Sequence, residues 1–176
     1  MRSGLRLALL GLCLWAAPAL AKSSVNCDAF MEKLRTGASD LHVDFSHALV
    51  VSRARTDVDV FDITTKAEID GTLSCRSGGL LRFEAHIAEP SPAHTATEFE
   101  NFQAAALRAA LGWDAAKSRG EAHDMKSDAI DYLKASRERG DVYISGKTEE
   151  HAPGGIGLGL IITDTDSAFI IVGGEE

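Results

Sequence analysis

Residues 66–87, KAEIDGTLSCRSGGLLRFEAHI, contain the pattern that decides the fold. Apolar side chains recur at every second position on both sides of Ser77-Gly78-Gly79, which predicts two strands joined by a tight turn. Gly78 and Gly79 supply the positive φ that such a turn requires. The predicted inward-facing residues are Ile69, Gly71, Leu73 and Cys75 on the first strand and Leu81, Phe83, Ala85 and Ile87 on the second. The stretch therefore predicts a hairpin with Cys75 on its buried face.

A predicted N-terminal helix carries a second cysteine. Apolar residues follow Asn26, a good N-cap, at the spacing i, i+3, i+4 and i+7, and Gly37 is the predicted stop. The residues of this face are Cys27, Phe30, Met31 and Leu34. Because Cys27 and Cys75 both face the core, we expect a disulfide that pins the helix across the hairpin. Two free thiols are the alternative, and a metal site is disfavoured because neither cysteine lies in a C-x-x-C motif.

Residues 1–21 have the pattern of a cleaved secretory signal. Two arginines precede an apolar run that is too short to span a bilayer, and Ala19-Leu20-Ala21 resembles a cleavage site. Cleavage would remove Cys13 and leave an even pair of cysteines, which is typical of an oxidising compartment. We therefore expect residues 22–176 to form one exported domain, periplasmic or secreted, with no stable membrane insertion after cleavage.

The rest of the chain alternates between blocks of strands and blocks of helices, which favours an antiparallel sheet with helices on one side. Helices are predicted from a T-x-x-E capping box at Thr97 to Gly112, and from Ser127 to Gly140. The predicted strands outside the hairpin span residues 41–52, 58–65, 142–148, 156–162 and 168–172, and residues 53–57, 113–126 and 149–155 are predicted to be irregular. The expected fold is α+β: a mostly antiparallel curled sheet of about five to seven strands, with an N-terminal helix and two further helices packed on one face.

Several motifs resemble known sites but fail on spacing or context. Gly146-Lys147-Thr148 lacks the upstream glycine and the following helix of a P-loop. The run GGIGLG at residues 154–159 leads into a strand, so its glycines more simply leave room for a helix or another backbone to approach. Residues 164–169 open like a calcium loop but place Ala168 and Phe169 where a ligand and a glycine are needed. No histidine forms an H-x-H or H-E-x-x-H motif. The sequence therefore nominates no catalytic, cofactor-binding or metal-ligating residue, and no cofactor is expected.

The charge balance limits the classes of partner. The formal net charge is −8 at pH 7. An acidic domain is a poor candidate for binding nucleic acid or anionic lipid, because both are bound through Lys and Arg. The sequence favours a non-catalytic exported domain that binds an unknown protein partner or a cell-envelope component, for example by strand addition at a sheet edge.

Two alternatives to this function remain open. A curved sheet covered by helices can enclose a small apolar ligand, and the strand with Gly157 and Gly159 and the helix with Phe99 and Phe102 could line such a pocket. The domain could also be an enzyme whose active-site residues are dispersed along the chain. An enzyme of that kind is expected to have a polar pocket with at least two convergent ionisable groups.

Overall fold

The computed structural model describes residues 25–44, 49–55, 57–141, 146–152 and 154–173. The predicted signal segment, residues 1–21, lies outside the described residues, as does His47. The described elements, in chain order, are α1 (Cys27–Asp40), β1 (Leu49–Arg55), β2 (Val58–Thr64), β3 (Asp70–Arg76), β4 (Gly79–Ala88), α2 (Ala93–Leu111), α3 (Ala115–Arg139), β5 (Gly146–Ala152), β6 (Ile156–Ile162) and β7 (Asp166–Val172).

The described strands form one antiparallel sheet in the order β1-β2-β3-β4-β7-β6-β5. The sheet is open and curled, and its ends are β1 and β5. The helices cover one face: α1 and α2 pack on each other and on β4, and α3 packs on α2, β5 and β6. Phe30, Phe83 and Phe102 are fully buried between the helices and the sheet, with ring centroids 5.2 and 6.0 Å apart. The predicted α+β class is therefore confirmed.

The hairpin β3–β4 forms at the predicted turn, but the positive φ values lie at Ser77 and Gly78, 50° and 78°, and not at Gly78 and Gly79 as predicted. A bulge shifts the register after Ser74, so that Cys75 pairs with Leu80. Leu80, rather than the predicted Leu81, therefore takes the buried position nearest the turn. Beyond the bulge, the predicted inward residues of β4 are buried: Phe83, Ala85 and Ile87.

The start of α1 is fastened to this hairpin, as predicted. The Asn26 side chain caps the helix by accepting a 3.0 Å hydrogen bond from the Ala29 amide. The Cys27 amide donates to the carbonyl of Gly78 at 2.9 Å, and the Cys27–Cys75 disulfide joins Cα atoms that lie 6.2 Å apart. The disulfide prediction is confirmed, and both cysteines are buried.

The predicted stop of α1 at Gly37 is wrong, and so is the predicted strand at residues 41–44. The helix continues to Asp40, and Gly37 lies within it facing α2, where an added Cβ would be 3.4 Å from the Cα of Ala105. Leu41 is the C-cap of α1, and the Val43 amide donates to the carbonyl of Ala38 at 2.9 Å. Alternating apolar residues at a helix end therefore imitated a strand. In the described chain, β1 spans Leu49–Arg55, so residues 49–52 are a strand as predicted, and residues 53–55, which were predicted to be a connection, belong to the same strand.

Both later helices begin before their predicted caps. The α2 helix starts at Ala93, and the Thr97 hydroxyl donates to the Ala93 carbonyl at 2.9 Å inside the helix instead of capping it. The α3 helix is capped by Asp114, which accepts from the Lys117 amide at 2.8 Å, so that residues 115–126 are helical and not irregular. The predicted end at Gly140 is confirmed by a left-handed C-cap there. Residues 149–152, predicted to be a loop, belong to β5.

Candidate ligand-binding site

A cavity of about 370 Å³ lies between α2, α3 and the inner face of the sheet. It opens where β4 leads into α2 and where β6 turns into β7, at residues 87–91 and 160–167. Cavities of this volume are within the range that proteins use for small molecules.

The helical wall of the cavity is formed by one stripe from each helix. In α2, Ala96, Phe99, Glu100 and Gln103 fall at i, i+3, i+4 and i+7, and in α3, Lys126, Ile130, Leu133 and Arg137 fall at i, i+4, i+7 and i+11. Residues at such spacings share one helix face, so both stripes point toward the same space. Strands β4 and β6 complete the apolar lining, whose larger members are Ile87, Phe99, Ile130, Leu133, Leu160 and Ile162.

Gln103 is the polar exception within this wall. Only 1% of its surface is exposed. Its side-chain carbonyl oxygen is buried and has no hydrogen-bond partner among the described residues. A buried acceptor without a partner costs about 1–3 kcal/mol, so proteins leave few of them. Gln103 is thus a buried polar residue of the cavity lining whose carbonyl oxygen lacks a partner among the described residues.

Glu89 lies at one side of the cavity mouth and forms hydrogen bonds to the segments around it. One of its carboxylate oxygens accepts from the Ser167 hydroxyl at 2.7 Å, and the other accepts from the Ser91 amide at 3.0 Å. The Glu89 amide also donates to the carbonyl of Thr165 at 2.9 Å. These bonds tie the loop between β4 and α2 to the turn between β6 and β7, and they keep a carboxylate at the mouth.

The other side of the mouth is lined by paired charges. Lys126 contacts Glu100 at 2.9 Å, and His123 contacts the second oxygen of the same carboxylate at 3.3 Å. Arg137 forms an ion pair with Asp164 that joins α3 to the turn between β6 and β7. Both cations that line the cavity are thus already bound to carboxylates.

A second depression, of about 500 Å³, lies between α1 and strands β2 and β3. Its wall includes Asp28, Glu32 and Arg35, whose side chains are exposed. Its apolar part is formed by Cys27, Met31, Phe61 and Leu73, and no buried polar atom without a partner lines it among the described residues.

The pocket suggested by the sequence is partly correct. Phe99 and strand β6 line the cavity, but Phe102 is fully buried in the core and does not. Gly157 and Gly159 lie on the opposite face of β6 from its cavity-lining residues, because side chains alternate along a strand. The closest neighbour of a Cβ added at Gly157 is the Val172 side chain, at 3.7 Å.

The stretches that resemble a P-loop, a dinucleotide-binding loop and a calcium loop do not come together into one site in the described chain. Residues 146–148 lie at the start of β5, and Gly154 and Gly155 form the turn between β5 and β6, with φ values of 82° and 73°. Of residues 164–169, Asp164 and Ser167 line the cavity. His86 lies between Glu84 and Asp166, at 3.1 and 3.3 Å. Among the described residues, no group of three or more His, Cys, Asp or Glu side chains could hold a metal ion.

Comparisons with known proteins give no relative. No protein-family model matches the chain, and no curated protein or solved structure matches it. In the part of the chain that the structure describes, none of the helices is long and apolar enough to cross a bilayer. The cavity is therefore the feature of the described chain that bears on function.

Sequence reasoning missed Gln103, Glu100, Lys126 and Glu89. The sequence contains the i, i+4, i+7, i+11 pattern of α3 that starts at Lys126. Lys126 was left out of the predicted helix because residues 113–126 were predicted to be irregular. Glu89 and Ser167 are separated by 78 positions in the chain, and no local pattern connects them.

Proposed function

We propose that this domain is an exported carrier or sensor that binds a small, largely apolar molecule in the cavity between α2, α3 and the sheet. The observation that carries the proposal is the 370 Å³ cavity itself, whose wall between α2, α3 and the sheet is mainly apolar and includes a few polar side chains, Gln103 among them. Known small-molecule sites share this design, in which apolar walls supply affinity and a few polar groups fix orientation. Export is supported by the Cys27–Cys75 disulfide, because disulfides persist in oxidising compartments.

The cavity limits the size of the molecule. If each non-hydrogen atom takes about the 30 Å³ that a water occupies, the cavity holds roughly a dozen such atoms. Burial of a chain of eight carbons is worth at most about 6 kcal/mol at ~0.8 kcal/mol per methylene. The corresponding dissociation constant of about 10–100 µM for 1-octanol is therefore a lower limit, because association also costs freedom of motion.

The test is isothermal titration calorimetry of the purified protein with 1-octanol, combined with a variant that fills the cavity. Ala96→Phe adds a ring at the cavity wall and is expected to weaken octanol binding at least about tenfold, since the ring takes the space of the ligand. Ala116→Phe is the matched control, because Ala116 is exposed on α3 and does not line the cavity. Equal binding by Ala96→Phe and the wild type, or no binding by the wild type, would contradict the proposal.

The open sheet favours a second candidate, the binding of a protein partner or a cell-envelope component by strand addition. Among the described strands, β1 and β5 are the ends of the sheet, and each pairs with a neighbour on one side only. Main-chain groups on such an edge can pair with an added strand. Amide hydrogen exchange in the presence of a cell-envelope extract tests this: new protection within β1 or β5 is expected, and unchanged exchange there argues against it.

A further inference from the structure

We infer that the ligand is a single unbranched chain of about a dozen non-hydrogen atoms, and that Gln103 sets the limit on its length. The inference rests on the proposed function of the cavity and specifies the shape of its ligand. It follows from two observations: the cavity has a small volume for the length of its lining, and the residues beyond Gln103 are fully buried.

The lining of the cavity is long on both helices. On α2 it runs from Ala96 to Gln103, and on α3 it runs from Lys126 to Arg137. A helix rises about 1.5 Å per residue, so these stretches are about 10 and 16 Å long. Because residues 112–114 are a short connection between helices that pack on each other, α2 and α3 run antiparallel and the two stretches lie side by side.

The cavity is narrow for this length. A volume of 370 Å³ spread over such a lining gives a mean cross-section of about 23–37 Å², which is a channel about 5–7 Å wide. For comparison, neighbouring extended main chains in a sheet lie about 4.8 Å apart. The cavity is therefore about one chain wide, and a second chain or a branch does not fit beside the first.

Two measures of ligand size agree on this shape. By volume, the cavity holds roughly a dozen non-hydrogen atoms. By length, a chain with the geometry of an extended backbone advances about 1.2 Å per bond, so the lining of about 10–16 Å accommodates about 8–13 bonds. The two numbers agree because the atoms follow one another along the channel, whereas a compact molecule of equal volume would be wider than the channel.

Gln103 lies at the closed end of the cavity. The mouth is at the start of α2, and Gln103 is the lining residue of α2 that is farthest from it. Ala106 and Leu107, one turn further along α2, are fully buried and do not line the cavity. The same is true of Ala122 and Met125, which precede the lining stretch of α3. A longer chain therefore ends at Gln103 and projects from the mouth.

Two isomeric alcohols test the width: 1-octanol and 2-ethyl-1-hexanol, each titrated calorimetrically into the purified protein. They contain the same atoms and the same hydroxyl group and differ in branching. Octanol is expected to bind at least about tenfold more tightly, because the ethyl branch overfills a channel one chain wide. Binding of the branched isomer as tightly as octanol would overturn the inference and leave the cavity as a ligand site, whereas binding of neither would overturn the proposed function.

A series of straight-chain alcohols from 1-hexanol to 1-dodecanol tests the length. Each methylene that is buried should tighten binding about fourfold, and this gain should continue up to 1-decanol. 1-Dodecanol exceeds the capacity of the cavity, so it should bind less than about fourfold more tightly than 1-decanol, against about fifteenfold for two buried methylenes. A full gain from 1-decanol to 1-dodecanol would overturn the limit on length.

Variants of Gln103 assign the limit to its side chain. Gln103→Ala removes the side chain beyond Cβ and lengthens the channel, so 1-dodecanol should then bind at least about tenfold more tightly than 1-decanol. Gln103→Met is the matched control, because a side chain of similar size keeps the closed end and should keep the wild-type ratio of the two affinities.

Thermal unfolding without ligand shows whether each variant is folded. Gln103→Asn, which shortens the same side chain by one methylene and leaves a smaller void, is the second variant, and its ratio should rise about two- to fourfold above that of the wild type. An unchanged ratio in a folded, shortened variant would show that Gln103 does not set the length and would overturn the inference, while octanol binding by the same protein would leave the proposed function in place.

Discussion

At the scale of single residues, Gln103→Met should make the protein more stable. The substitution replaces a buried amide that has an unpaired oxygen with an apolar side chain of similar shape, so the desolvation cost of that oxygen, about 1–3 kcal/mol, no longer opposes folding. Urea denaturation without ligand measures the free energy of unfolding. Gln103→Ala is the control, since it removes the same amide but leaves a void, and it should not give this gain. A loss of more than about 1 kcal/mol in Gln103→Met would mean that the oxygen is satisfied in the folded protein.

The burial of Gln103 could not be predicted from the sequence, because a glutamine in a helix is mostly exposed and its amide gives no sign that it is buried. Cys27 and Cys75 were assigned correctly because each lies on a periodic apolar face, and two buried cysteines on packed elements are within bonding distance.

At the scale of elements, α3 shows why periodicity alone misplaced a helix. Its buried residues in the first half are small, Ser118 and Ala122, followed by Met125 and Ala129. Small side chains give a weak apolar signal, and the many charged neighbours make the segment look like a loop. The decisive local signals were Asp114, an N-cap after the left-handed Gly112, and the spacing of residues 122, 125, 129 and 133 on one face.

The C-terminal end of α3 is closed by a carboxylate. Asp141 accepts hydrogen bonds from the Ser136 hydroxyl and from Arg139, each at 2.8 Å, and its amide donates to the Ser136 carbonyl at 3.2 Å. The hydrogen bond from Ser136 and then that from Arg139 lower the pKa of Asp141 below its ordinary value. The same contact with Asp141 raises the pKa of Arg139.

This contact predicts a pH-dependent contribution to stability. Because the pKa of Asp141 is lower in the folded than in the unfolded protein, its contribution is present above the unfolded pKa and is lost as the pH falls through the folded pKa. Asp141→Asn should therefore be less stable than the wild type near neutral pH, and the difference should shrink below about pH 4, where an ordinary aspartate gains its proton. Urea denaturation of both proteins across this range measures the difference.

The control for Asp141 is Asp124→Asn, which removes a carboxylate from an exposed position of α3 that has no hydrogen bond or ion pair within the described chain. Its difference from the wild type should be smaller at neutral pH. If the difference between the wild type and Asp141→Asn grew on acidification, the assigned direction of the pKa shift would be wrong.

At the scale of the whole molecule, the fold class could be predicted and the cavity could not. The α+β class follows from the order of periodic segments, and the antiparallel sheet follows from short turns between consecutive strands. The pairing of β4 with β7 is different, because it brings together strands separated by both later helices and two further strands. That pairing places Glu89 beside Ser167 and so creates the mouth of the cavity. A contact of this kind depends on the sheet as a whole and has no local pattern.

The disulfide and the cavity lie at opposite ends of β4, and this predicts that stability and ligand binding can be separated. Cys75 pairs with Leu80 at one end, whereas Ile87 lines the cavity at the other, about 20 Å away at the rise of a strand. The crosslink joins residues 48 positions apart, and a loop of that length is worth about 4 kcal/mol in denatured-chain entropy.

Reduction of the disulfide should therefore lower the free energy of unfolding by about this amount, as measured by urea denaturation with and without reductant. The affinity of the reduced, folded protein for octanol should change less than about twofold. The Cys27→Ala/Cys75→Ala variant should be insensitive to reductant. Parallel losses of stability and of affinity in the folded, reduced protein would instead show that the two ends of β4 act as one unit.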